Sequence, residues 1–144
     1  MENQDTVKLL KECDAGTKMA VSSIDEVLEK VCDAKMKNLL QESKAHHEKL
    51  ENDICGMLKE HNACEKEPNP IAKGMSWMKT NMKMTMDNSD STVADLITDG
   101  CNMGIKTLNR YLNQYKAADE ESKAVCGKLI EIEEKLGKDL RQYL

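Results

Sequence analysis

Four long stretches of this chain place an apolar or small residue at every third or fourth position, and that spacing constrains the fold more than any other feature. The first stretch steps from Val7 through Leu10, Asp14, Thr17, Val21 and Ile24 to Val31. The second steps from Met36 through Leu40, Ser43, His47, Leu50, Ile54 and Met57 to His61. A third runs from Val93 through Ile97, Gly100, Gly104 and Leu108 to Tyr115, and a fourth from Val125 through Leu129, Ile132 and Leu136 to Tyr143. Residues at this spacing share one face of an α-helix, and a stripe of that width must be buried against another element. Composition agrees: Phe is absent, and Pro occurs only twice. Leu, Met, Lys, Glu and Ala supply most of the stretches, and all five favour helix. No segment alternates with the period of a strand.

The connections set the topology. "CDAKMK" separates the first two stretches and "YKAADEES" the last two. Links that short hold neighbouring helices side by side and antiparallel. Between the two hairpins lies "EKEPNP", where Pro68 and Pro70 forbid helix continuation. The pattern then predicts a shorter helix over residues 71–86, and "DNSDS" provides turn residues and an N-cap for the next long helix. The expected fold is all-α: one domain over residues 1–144, an up-down antiparallel four-helix bundle with a short extra helix in the crossover between helices 2 and 3.

Charge narrows the partners. The net charge is −5 with acids and bases interleaved, so there is no basic stripe to neutralise phosphates, and nucleic acid is not an expected partner. No apolar run approaches the length of a membrane span. The opening "MENQDTVKLL" lacks the basic and apolar regions of a secretory signal, which makes the cytoplasm the expected location. In that compartment the six cysteines are expected as reduced thiols within helices, and no Cys-x-x-Cys pair is present.

Five of the ten methionines lie in "GMSWMKTNMKMTM". Met75, Met78, Met82 and Met86 share one face with Ile71. A thioether site for Cu(I) needs sulfurs that converge, whereas spacing along one helix spreads these over ~15 Å. The expected role of this face is packing across an end or seam of the bundle, where Met fills irregular space.

The polar residues on the apolar stripes are the candidates for chemistry. Asp14, Thr17, Ser43, His47 and His61 all fall there. Facing carboxylates and histidines in a bundle core build di-iron and di-manganese sites, which need a Glu from each of two helices and Glu-x-x-His from each of the other two. The chain has three histidines, and the residues three before them are Ser43, Lys44 and Leu58. No Glu-x-x-His exists, so a normal di-iron centre is not expected. If the first turn centres near residues 33–34, Asp14 faces Asp53 across the hairpin, with Gly56 where a histidine would follow. Glu133 flanks the fourth stripe. Glu42 with His46, and His47 with Glu51, read as surface pairs at i, i+4. His61 and Cys64 stand at i, i+3 near a helix end, and His61 reads as a satisfied helix-end residue. Cys101 lies between Gly100 and Gly104, each of which weakens a helix by ~1 kcal/mol, and close approach of another helix is the expected reason for them.

This layout resembles the ferritin-like four-helix bundles, specifically a bacterial family of unknown function related to rubrerythrin and bacterioferritin. The resemblance rests on "IAKGMSWMKTNMKM", the acidic turn "DNSDS" and the third helix "TVADLITDGCNMGIKTLNRYL", with "TVKLLKECDAGTKMAV" similar to the first helix. It implies a bundle fold and, by analogy, metal binding or stress-related roles. By the same resemblance Asp14 and Asp53 stand at ligand-like positions, while Cys101 stands where metal-binding members tend to carry a carboxylate.

Together these readings predict a non-catalytic bundle that binds a protein partner or self-associates as a homo-oligomer, without a cofactor. Two alternatives come with it. One is a protein that binds iron, manganese or zinc through Asp14, Asp53, His47 and Cys101. The other is a thiol-based redox sensor.

Overall fold

The computed structural model describes residues 4–63 and 89–144. Among these the chain forms four long helices and no strand: α1 (Gln4–Leu28), α2 (Ala34–Glu60), α3 (Asp90–Gln114) and α4 (Glu120–Leu140), with a 3-10 turn over Arg141–Tyr143. The helix expected over residues 71–86, with its methionine face, lies outside the described residues.

Side-chain oxygens fix where three of the helices begin, each accepting a backbone N–H that has no partner inside the helix. Asp33 Oδ1 accepts from Met36 N at 2.9 Å, Ser89 Oγ from Thr92 N at 3.2 Å, and Asp119 Oδ1 from Ser122 N at 2.8 Å. At the end of α2 the chain turns through Asn62, which has a φ of 54°, a conformation Asn tolerates better than most residues. The Asn62 and Ala63 amides return to the carbonyls of Lys59 and Leu58, closing a Schellman motif.

Two sets of hydrogen bonds fix the directions of the helices. The Asp90 carboxylate accepts from Cys32 N at 2.8 Å and Asp33 N at 2.9 Å, so α3 begins beside the start of α2. At the opposite end Thr6 Oγ1 accepts from Asp119 N at 2.8 Å and Asp5 Oδ2 from Ala117 N at 3.1 Å, so α4 begins beside the start of α1. The hairpins α1–α2 and α3–α4 are antiparallel, as their short links require. α2 and α3, however, run parallel, and the order is up, down, down, up rather than simple alternation. Residues 61–89 separate these two helices, a connection longer than antiparallel neighbours need. α1 packs on α2 and α3, α4 packs on α3 and α2, and α1 and α4 also meet across the diagonal.

Among the described residues the core falls into two apolar clusters, one toward each end. Ile24, Val27, Met36, Leu40, Ile97 and Leu140 belong to one, and Leu9, Leu10, Ile54, Leu58, Leu108 and Leu129 to the other. Between them lies a belt that contains Asp14, Thr17, Ser43, His47 and Glu133, all buried. The expected stripes are buried along most of their length, and three helices depart from them at single positions. Leu58 rather than Met57 is fully buried, Cys101 rather than Gly100, and Glu133 rather than Ile132. One residue is a rotation of roughly 100° about the helix axis, enough to exchange a core position for one at the edge.

Gly100 is exposed, and a Cβ built there would meet nothing within 4 Å, so no close helix approach accounts for it. Gly100→Ala should therefore stabilise the fold by about 1 kcal/mol, the helix propensity difference alone. Urea denaturation checks this, and an unchanged or lower midpoint would contradict it. Gly104 is different, because its Cβ would stand 3.7 Å from Glu133 Cδ.

Candidate functional site

The belt at mid-length brings buried polar and ionisable side chains from different helices together, and its centre is the pair His47 and Glu133. His47 sits on the inner face of α2 because the 3–4 step from Leu40 through Ser43 carries it there. Its Nδ1 lies 2.8 Å from the Ser43 carbonyl oxygen. A carbonyl only accepts, so Nδ1 carries a hydrogen. Nε2 lies 3.2 Å from Glu133 Oε1 on α4, and one more proton joins these two atoms. The pair is either imidazolium with carboxylate or imidazole with carboxylic acid, and both forms satisfy the geometry.

Burial opposes a charge on His47. The hydrogen bond and charge of Glu133, with the Ser43 carbonyl, outweigh it and raise the imidazole pKa above its ordinary value. A histidine whose folded-state pKa is raised stabilises the fold fully below its unfolded value of about 6.5, and that stability is lost as pH rises through the folded value. The denaturation midpoint should therefore fall as pH rises from about 6 toward 9. It should fall much less in a His47→Leu/Glu133→Leu variant, and equal slopes in the two proteins would contradict the assignment.

Cys101 on α3 completes this cluster. Burial, then the charge of Glu133 and a hydrogen bond to it, push the Cys101 thiol far above the ordinary thiol range. With its proton held, the sulfur donates to Glu133 and is a poor nucleophile. The run from the Ser43 carbonyl through His47 and Glu133 to Cys101 links α2, α4 and α3. Gly104 carries no side chain to press on the Glu133 carboxyl.

Asp14 belongs to a separate cluster. Its Oδ2 takes a hydrogen bond from Lys18 Nζ at 2.8 Å, and its Oδ1 faces Cys55 Sγ at 3.7 Å. Thr17 Oγ1 donates back to the Asp14 carbonyl at 2.8 Å. His47 stands two turns from Cys55 along α2, roughly 12 Å, so Asp14 does not reach it. Asp53, expected opposite Asp14, is exposed. It adjoins Ile54 on the sequence and is turned off the buried stripe, and Cys55 occupies the facing level instead.

The four candidate ligands are thus dispersed: Asp14 in one cluster, His47 and Cys101 in another, Asp53 at the surface. Both ring nitrogens of His47 are engaged by protein groups. Among the described residues no group of three or more His, Cys, Asp and Glu side chains is arranged to hold a metal ion. These residues do not fit the two-metal centre that a ferritin-like bundle implies. His46 is exposed and His61 half-buried at the cap of α2, while Cys64 lies outside the described residues. His47 pairs with Glu133 across the bundle rather than resting on the surface with Glu51.

Glu133 is the residue that sequence reasoning placed at the margin. The signal was present: Cys126, Leu129, Ile130, Glu133, Leu136 and Leu140 also step by three and four. A depression over Ser43, His46 and Leu136 has about 20 Å³ of room, enough for a water molecule.

Compared with models of protein families, with curated proteins and with solved structures, the chain gives no match.

Proposed function

We propose that this chain is a non-catalytic helical bundle that acts by binding a protein partner or a second copy of itself. The observation that carries the reading is the closure of the mid-length belt. Asp14, Thr17, Ser43, His47 and Glu133 each bond to protein groups. The depression nearest them is lined by Ser43, His46 and Leu136 and not by His47 or Glu133. On this reading the His47–Glu133 pair fixes which helix faces meet, a role that buried polar groups can serve in bundles.

A ferritin-like ancestry belongs to the same proposal, and the parallel course of α2 and α3 with one long connection supports it. So does the position of the polar belt, midway along the helices. A cytoplasmic setting is part of it as well. No described helix is long and apolar enough to cross a membrane. The alternative of a residual iron, manganese or zinc site has less support, because its four candidate residues do not converge.

Sedimentation equilibrium and an oxidase assay test the proposal together. The expected results are a mass at 16.2 kDa or a fixed multiple of it, and no turnover of ferrous iron above a buffer control. Turnover that disappears in Glu133→Gln would overturn the non-catalytic reading.

A further inference from the structure

α1 and α4 run parallel across the diagonal of the bundle, and their register can be read at two places independent of the cysteines. Asp119 N donates to Thr6 Oγ1 across an offset of 113 residues. Gly16 and Leu129 keep the same offset, and a Cβ at Gly16 would stand 3.5 Å from Leu129 Cδ2. The helices are therefore close at this level. Cys13 and Cys126 also keep this offset, one turn back from Gly16 and Leu129. Both are fully buried within one apolar cluster, and their thiols are hydrogen-bonded to each other. Cys126 Sγ also lies 3.9 Å from the Leu108 carbonyl, to which its S–H donates. Two buried thiols at one level of two closely packed parallel helices stand where a disulfide could join them.

We propose that Cys13 and Cys126 are a dithiol that a hydroperoxide oxidises to a disulfide, tying α1 to α4 across the bundle. The inference does not depend on the binding role proposed above. In the chemistry, the Cys126 thiolate attacks one peroxide oxygen. The O–O bond breaks, Cys126 becomes a sulfenic acid, and the other oxygen takes up a proton and leaves as water (or an alcohol). Cys13 sulfur then displaces the sulfenic hydroxyl as a second water, forming the S–S bond. Two thiols lose two electrons and two protons, and the peroxide gains them. The roles follow from the pair itself. The Cys13 S–H hydrogen bond stabilises a charge on Cys126 and lowers its pKa, whereas that same pairing, with burial, raises Cys13 well above the usual range. Cys126 is the attacking sulfur and Cys13 the resolving one.

Neither sulfur is exposed, so reaction requires a local opening of the helix ends. Oxidation of the pair should be slower than that of the exposed Cys32, and faster in urea below the unfolding transition. The test is hydrogen peroxide treatment of the full chain, followed by alkylation after unfolding and peptide mapping without reductant. The expected result is loss of Cys13 and Cys126 thiols at one common rate, recovery of a peptide joining them, and reversal by dithiothreitol. The urea midpoint of the oxidised monomer should rise, since a crosslink this long in sequence restricts the unfolded chain. Cys126→Ala should leave Cys13 alkylatable. Should that variant fail to fold, the rate comparison in the native sequence still decides. Thiols at 13 and 126 that stay alkylatable under peroxide in urea just below the unfolding transition would overturn the proposal, as would oxidation of either one alone to a sulfinic acid.

Discussion

Replacing His47 with leucine should cost the folded state about 3–5 kcal/mol, a large share of what holds a domain of this size together. The loss does not come from missing packing, because leucine fills a comparable volume. It comes from Glu133, which is left in the core with only a neutral thiol beside it. A buried charge without its partner is among the costliest defects a fold can carry. Replacing both residues, His47→Leu with Glu133→Leu, removes the charge along with its partner. That double variant should return to about the native stability or exceed it by about 1–4 kcal/mol. Urea denaturation of the four proteins in the cycle gives the coupling directly. A double variant as unstable as the single one would show that the pair is not what His47 contributes.

Leu129→Ala should be the next most damaging change, at about 2–5 kcal/mol. Leu129 is fully buried where α1 and α4 meet, and its removal opens space against Gly16 on the facing helix. Because Gly16 points a missing side chain at that space, Gly16→Leu in the Leu129→Ala background should recover about 1 kcal/mol or more. Part of that gain is helix propensity, and part is filling the gap. A further loss on adding the side chain would mean that the two helices are not apposed there.

The helices themselves were legible in the sequence because each stripe is long and three of the four are announced by a capping residue. Asp33, Ser89 and Asp119 each sit one position before a helix and accept its free amides. The direction of α3 was not legible. Periodicity says which face is buried but not which way the axis runs, and the bonds from Cys32 and Asp33 to Asp90 that settle it join residues 58 and 57 positions apart.

The candidate site was legible in part. Asp14, Ser43 and His47 were identified from polar residues on apolar stripes, and all three are buried. Asp53 was placed by assuming where the first turn is centred. The pairing of Asp14 with Cys55 shows the hairpin register to be offset from that assumption, and a small offset turns a side chain from core to solvent. Glu133 was passed over because the neighbouring Ile132 seemed the better core residue by polarity. The carboxyl is inside because His47 and Cys101 meet it there, and neither partner is near it in sequence. Polar residues in a core are explained by what faces them, and local sequence carries no record of that.

On the proposed reading the belt closes on itself and binds no metal ion. Metal analysis of the full chain, purified without chelator, tests it most directly. The account predicts iron, manganese and zinc well below one per chain, with the same trace content in Glu133→Gln. One or two ions per chain in the native protein, lost on that substitution, would contradict it.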